Sequence, residues 1–151
     1  MKVYYSNEKI KKGQKSIFLA GTTASNRKKD WRKKVVQLLI EKGYDGVVYN
    51  PDYTDLEVRC SYEEQLKWEL RGIQQCTAIL FWVDRDLPKR PGLTTNVEFG
   101  YWLHSGRLIY GRPDSAEKVL YLDMLYKLQT GLKPCTTLEE LVDKILVFIN
   151  D

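Results

Sequence analysis

At 151 residues with 43% hydrophobic content, the chain has the length of one domain and enough apolar material for a core without disulfide or metal staples. No apolar run approaches the roughly 18 residues needed to span a bilayer, and residues 1–15 are polar and basic, without the apolar stretch of a secretion signal. A net charge of +4 is too small to point to nucleic acid by itself, although six of the eight residues from Arg27 to Lys34 are basic.

Taken in chain order, residues 1–15 read as an edge strand around Val3 to Tyr5 or as an arm, and residues 16–151 as the domain proper. Ser16 to Ala20 is a short apolar run closed by Gly21, the pattern of a strand buried on both faces. From Asp30 to Lys42, Trp31, Val35, Leu38 and Leu39 recur at helical spacing, and Gly43 supplies the stop. Gly46 to Tyr49 is a second buried strand, ended by Asn50-Pro51. Ser61 and Glu64 form a capping box for a helix whose apolar stripe is Tyr62, Leu66, Leu70 and Ile73. Thr77 to Val83 is apolar and rich in strand formers, which predicts the centre of the sheet. Asp84 to Gly92 is a charged loop with two prolines, and Thr95 opens the next helix, with Phe99 and Leu103 inward and Gly106 as its stop. Leu108 to Tyr110 is a fourth strand, Ala116 to Leu128 is irregular or helical, and a short strand lies near Leu132. A helix from Leu138 to Ile149, capped by Thr136 and Glu139, closes the chain.

Alternating strands and helices predict an α/β fold, a doubly wound, flavodoxin-like (Rossmann-like) three-layer sandwich with a parallel sheet. Ligands of such sheets bind outside the carboxyl ends of the strands, where the strand order reverses. That rule selects Gly21 to Asn26, Asn50 to Asp55, Asp84 to Gly92 with Thr94 and Thr95, and Gly111 to Pro113. Cys60, Cys76 and Cys135 are odd in number and lack a CxxC pair, so neither a disulfide framework nor a zinc site is expected, and a reducing cytoplasm fits them. One histidine, His104, leaves carboxylates to carry any chemistry.

Several motifs stand in a recognisable order: FLAG at 18–21, Trp68-Glu69, Phe81-Trp82 and LTTNVEFG at 93–100. Over roughly residues 16–125 the sequence resembles the nucleoside 2-deoxyribosyltransferase-like family. The resemblance implies retaining glycosyl transfer at C1′ of a deoxyribose, with Glu98 attacking the anomeric carbon and a base or water resolving the glycosyl-enzyme. A carboxylate suits an oxocarbenium-like centre, and a helix N-terminus favours its ionised form. Thr95-x-x-Glu98 also reads as a capping box; the surrounding motifs favour the nucleophile.

The family's further carboxylates, at the start of the central strand and in the loop six residues before the nucleophile, correspond here to Thr77 and Gly92, so the second acid is not identified. Asp84, or Asp86, stands in the right loop to substitute. Gly21, Thr22, Thr23, Asn26, Asn50, Trp68, Thr94, Thr95, Asn96 and Arg112 are the expected substrate-binding positions. The turn after the first strand and the basic cluster hint at a phosphorylated substrate. GTTASN is neither a Walker A loop nor GxGxxG, so no cofactor is expected, and no metal. Two readings follow: an enzyme that cleaves or exchanges the N-glycosidic bond of a 2′-deoxynucleoside or its monophosphate, or an inactive nucleotide-binding module of the same fold. The resemblance also implies a homo-oligomer; nucleic-acid binding by the basic cluster is the least favoured reading, and no membrane contact is expected.

Overall fold

The structure is a computed structural model that describes residues 1–6, 8–11, 14–23, 30–53, 60–87 and 89–151. In chain order its elements are β1 (Lys2–Tyr5), β2 (Ser16–Gly21), α1 (Trp31–Glu41), β3 (Val47–Asn50), α2 (Tyr62–Gln75), β4 (Ala78–Trp82), α3 (Leu93–Leu103), β5 (Leu108–Gly111), α4 (Leu120–Thr130) and α5 (Leu138–Asn150). The five strands form one parallel sheet in the order β1-β3-β2-β4-β5. This is the doubly wound order with β1 added as an outer strand, and the direction of winding reverses between β2 and β4.

Alternate residues of the strands feed two cores. Phe18, Ala20, Val47, Tyr49, Ile79, Phe81, Leu108 and Tyr110 face α2, α3 and α4, where Trp68, Ile73, Phe99, Trp102, Leu122 and Tyr126 cover them. Ile17, Leu19, Val48, Ala78, Leu80 and Ile109 face α1 and α5, covered by Trp31, Val35, Leu39, Leu141, Val142 and Ile145. Strands buried on both faces must be apolar at every position, which is why β2 and β4 were legible as unbroken apolar runs.

Four local expectations are corrected. On α2 the inward face is Trp68, Gly72 and Ile73, while Tyr62, Leu66 and Leu70 point outward, Tyr62 with 76% of its surface exposed. Gly72 is needed there because an added Cβ would lie 2.9 Å from the Phe18 ring. Helix α3 starts at Leu93, two residues before Thr95, because Gly92 at its N-cap adopts the left-handed conformation (φ 57°) and turns the chain directly into the helix. The cap of α5 is Thr137, whose side chain accepts from the Glu140 amide, one residue later than expected. Near Leu132 the chain forms no strand; the single parallel bridge in this stretch joins Cys135 to Gly111. Among the described residues no helix is long and apolar enough to cross a membrane.

Candidate functional site

A cavity of about 900 Å³ opens at the carboxyl ends of β2 and β3, between the amino-terminal half of α1 and the facing sides of α2 and α3. The sheet supplies its floor through Phe18, Ala20, Gly21 and Asn50. Asp30, Arg32 and Lys33 enter from α1 and its cap, Asp52 and Tyr53 from the segment after β3, Gln65 and Glu69 from α2, and Thr94, Thr95 and Glu98 from α3. Aromatic and polar walls over an apolar floor suit a ligand with a flat ring and several hydroxyls.

Glu98 sits in the second turn of α3. Its neighbour Phe99 anchors the helix, stacking edge-on against Phe81 and Tyr110 at 5.3 and 5.0 Å. With Phe99 turned into the core, Glu98 points about 100° round the helix, toward the cavity. Among the described residues its carboxyl has no hydrogen-bond or ion-pair partner. The expected capping box is absent, since the N-cap is Gly92 and makes no side-chain cap bond, while Thr95 lies buried inside the helix. The field of the helix N-terminus, which fades within the first turn, does not hold Glu98 ionised either. Burial dominates: it pushes the Glu98 carboxyl up to about 7, the negative charge of Glu69 adds to this, and Arg32 opposes it.

One consequence is measurable as a pH dependence of stability. Between the ordinary value of 4.5 and about 7 the folded protein retains a proton that the unfolded chain has released. That stabilising contribution is therefore present below 4.5 and is lost as the pH rises through about 7. Glu98→Gln, which mimics the protonated form, is expected to be more stable than the parent at pH 8.5 by on the order of 2 kcal/mol, and no more stable at pH 4.5. Urea unfolding at the two pH values is the check.

Arg32 is the electrostatic centre of the floor. It is only 4% exposed, with Nη1 3.0 Å from Asp52 Oδ1, Nε donating to the Leu19 carbonyl at 3.3 Å and Nη2 to the Gly21 carbonyl at 3.5 Å. Burial raises the Asp52 carboxyl and Arg32 draws it back down. Asp30 caps α1 by accepting from the Arg32 amide at 3.0 Å. Glu69, half-buried, accepts from Gln65 Nε2 at 2.9 Å, and Gln65 Oε1 in turn accepts from the Tyr53 hydroxyl at 3.0 Å. Burial shifts the Glu69 carboxyl upward as well, against the Gln65 bond and Arg32.

Of the expected positions, Gly21, Thr23, Asn50, Thr94 and Thr95 line the cavity with Glu98. Five others are placed elsewhere. Trp68 is 8% exposed, packs on Phe18 and Tyr49, and donates its indole N–H to the Glu8 carbonyl, which makes it core instead of cavity wall. Thr22 is buried and pins two segments together: its hydroxyl accepts from the Asp84 amide, and its carbonyl accepts from the Trp31 indole. Asp84 is paired to Arg90 at 2.8 Å, within a loop that folds back on itself through the Asp86 and Arg90 bridge. Asn96 accepts from the buried Arg85, which also donates to the Lys118 carbonyl and so ties α3 to the segment before α4. Arg112 is bound to Asp123 at 2.8 Å, beyond β5. Asn26 lies outside the described residues.

The basic cluster also divides. Arg32 faces inward, Lys33 lines the cavity, and Lys34 pairs with Glu139 on α5 at 2.6 Å, while Arg27, Lys28 and Lys29 lie outside the described residues. Asp30, Arg32, Asp52, Gln65 and Glu69 also line the cavity; Asp52 falls in the selected stretch Asn50 to Asp55 and Glu69 in the Trp68-Glu69 motif, while no local pattern marks Asp30, Arg32 and Gln65 as parts of one site. Among the described residues no group of three or more His, Cys, Asp or Glu is placed to hold a metal ion.

The two positions where the family's further carboxylates were sought now have a physical account. Thr77 precedes β4 at the amino end of the sheet, its hydroxyl accepting from the Ser16 amide, so a carboxylate there would point away from the cavity. Gly92 leaves no room for one, because an added Cβ would lie 2.9 Å from the Thr22 methyl and 3.3 Å from the Thr95 hydroxyl.

Comparison with known proteins accords with this architecture. No curated protein matches the chain. A solved structure described as 2-desoxiribosyltransferase from Leishmania mexicana superposes with a TM-score of 0.59 over 90% of this chain and 97% of its own, at 19% identity, a likeness of fold. The family described as nucleoside 2-deoxyribosyltransferase like matches residues 14–116, a span that holds β2 through β5 and every described wall of the cavity but Tyr5. The chain belongs to the nucleoside 2-deoxyribosyltransferase-like family.

Proposed function

We propose that the protein cleaves or exchanges the N-glycosidic bond of a 2′-deoxynucleoside or its 5′-monophosphate, with Glu98 as the nucleophile at C1′. The observation that carries this reading is a half-buried carboxyl, without a partner among the described residues, facing a cavity large enough for a nucleoside. A carboxyl near neutrality is poised to lose its proton when positive charge develops on the sugar ring, since an adjacent opposite charge favours the ionised form. Attack by one carboxylate followed by entry of a base or water inverts C1′ twice, so the anomeric configuration is retained. Gly21, Thr23, Asn50, Thr94 and Thr95 are placed to contact the ligand. The reaction needs no cofactor.

The alternative of an inactive binding module drew on the missing carboxylates at 77 and 92. Position 77 lies at the wrong end of the sheet, and the cavity has other carboxylates, so that argument weakens. Incubating the protein with the four common deoxynucleosides and their 5′-monophosphates, and following free base by chromatography, separates the readings. Base release is expected; tight binding without release would select the binder.

We also place the protein in the cytoplasm as a homo-oligomer. Its three cysteines are free, as a reducing compartment leaves them. The outer faces of α2, α3 and α4 expose Tyr62, Leu66, Leu70, Val97, Tyr101 and Leu128, more apolar surface than the opposite helix layer offers, and Tyr62, Leu66 and Val97 also reach the cavity rim.

A further inference from the structure

Where β3 ends, the cavity wall carries Asn50 and, two residues on, Asp52. One turn locks them together, since the Asp52 amide donates to Asn50 Oδ1 at 3.0 Å. A backbone N–H can only donate, so the side-chain oxygen of Asn50 faces Asp52 and its NH2 group faces the other way. Asn50 is only 2% exposed, yet that NH2 group has no hydrogen-bond partner among the described residues. An amide donor on so buried a side chain is satisfied by what fills the cavity beside it. Asp52 supplies the opposite polarity. Its Oδ1 accepts from Arg32 Nη1 at 3.0 Å, and its Oδ2 has no partner among the described residues. A carboxylate has about four acceptor sites, so Arg32 takes one and leaves the others. The wall at the end of β3 therefore sets a fixed donor beside fixed acceptors.

Resting on the nucleoside reading above and deepening it, we propose that Asn50 and Asp52 read the hydrogen-bonding edge of the base and select guanine. Guanine presents an acceptor, O6, followed by two donors, N1–H and the 2-amino group. Asn50 donates to O6, and the Asp52 carboxylate accepts from both N–H groups. Adenine puts an amino donor in place of O6 and a ring-nitrogen lone pair in place of N1–H, so it sets donor against donor and lone pair against carboxylate. Cytosine fails in the same two places. Hypoxanthine keeps O6 and N1–H and lacks only the 2-amino bond. Thymine also matches two groups, but it turns its O2 carbonyl on the carboxylate.

The sheet sets a matching distance. Asn50 ends β3, and α3, which carries Glu98, follows β4, with β2 between the two strands. Two strand spacings put about 10 Å between those strand ends. A purine spans such a gap, its glycosidic carbon at Glu98 and its hydrogen-bonding edge at Asn50 and Asp52. From β2, Phe18 and Ala20 lie in the floor beneath the flat face of the ring. A pyrimidine carries its edge closer to the sugar and makes the poorer fit.

The test is a substrate series on the wild-type protein: 2′-deoxyguanosine, 2′-deoxyinosine and 2′-deoxyadenosine, each as nucleoside and 5′-monophosphate. Relative to deoxyguanosine, kcat/KM is expected to fall roughly 10- to 100-fold for deoxyinosine, which loses one hydrogen bond to a charged acceptor, and at least about 10³-fold for deoxyadenosine. In Asp52→Asn the deoxyguanosine-to-deoxyadenosine ratio should drop by about 10²-fold. Both substrates meet the same folded protein, so that ratio is insensitive to any loss of stability. Adenine released as readily as guanine by the wild type, or an unchanged ratio in Asp52→Asn, would overturn the selection and leave the glycosidic reading in place. Release of no base at all, or undiminished release by Glu98→Ala, would instead overturn the glycosidic reading. Calorimetric binding then decides the recognition: deoxyguanosine monophosphate held at least about tenfold more tightly than deoxyadenosine monophosphate upholds it, and equal affinity overturns it.

Discussion

Glu98→Ala is expected to reduce base release by at least about 10³-fold while leaving the fold intact, the scale seen when a covalent nucleophile is removed and only binding contributions remain. The physical grounds are specific to this site. Asp30 and Asp52, two further carboxylates of the cavity lining, are held by the α1 cap and by Arg32, so neither is available to take over the attack. Folding should not suffer, because the Glu98 carboxyl has no partner among the described residues and its charge is resisted by burial. Parallel rate and unfolding measurements check both halves. A variant that loses activity only because it unfolds would contradict the account as surely as one that keeps its rate.

A second large effect is expected at Arg32. Arg32→Met should destabilise the protein by about 3–5 kcal/mol, the cost of breaking a buried ion pair from one side. The substitution strands the Asp52 carboxylate and removes the donors to the Leu19 and Gly21 carbonyls at the end of β2. Pairing it with Asp52→Leu should recover much of the loss, since replacing both partners removes the uncompensated charge. Arg32 also restrains the upward shifts of Glu69 and Glu98. A stable double variant should therefore titrate its activity at higher pH than the parent. Urea unfolding and a pH profile test the two consequences separately.

How much of this could be read from the sequence depended on how local the determining physics is. β2 and β4 announced themselves because a strand covered on both faces is apolar throughout. Helix α2 misled for a symmetrical reason. Tyr62, Leu66 and Leu70 form as regular a stripe as an inward face would, yet the sheet takes Trp68, Gly72 and Ile73. The outward stripe fits a rim and a surface, features that periodicity cannot tell from a core. The cap of α5 slipped by one residue because adjacent Thr136 and Thr137 face adjacent Glu139 and Glu140, and spacing alone permits either pair.

The same division holds at the site. Glu98 was found through its surrounding motif. Asp52 and Glu69 lay in stretches the sequence singled out, Asn50 to Asp55 and the Trp68-Glu69 motif, but their places at the site depend on partners brought together by the fold: Asp52 on Arg32, twenty residues away in sequence, and Glu69 on sharing a cavity with Glu98. Arg32 was hidden inside a basic run that reads as a solvated face, and only the burial of the side chain against Asp52 and two carbonyls separates it from Lys33 and Lys34. The stretch holding Asp52 was legible by position. Asp52 follows the Asn50-Pro51 turn at the carboxyl end of β3, where doubly wound sheets place ligand contacts.

The most direct test is to trap the intermediate. A 2′-fluorinated deoxynucleoside destabilises the oxocarbenium-like transition states and slows turnover, so a glycosyl-enzyme should accumulate and be visible by mass spectrometry. The account predicts a fluoropentosyl adduct on the peptide carrying Glu98, absent from Glu98→Gln. Base release that proceeds with no adduct, or an adduct on another residue, would contradict it.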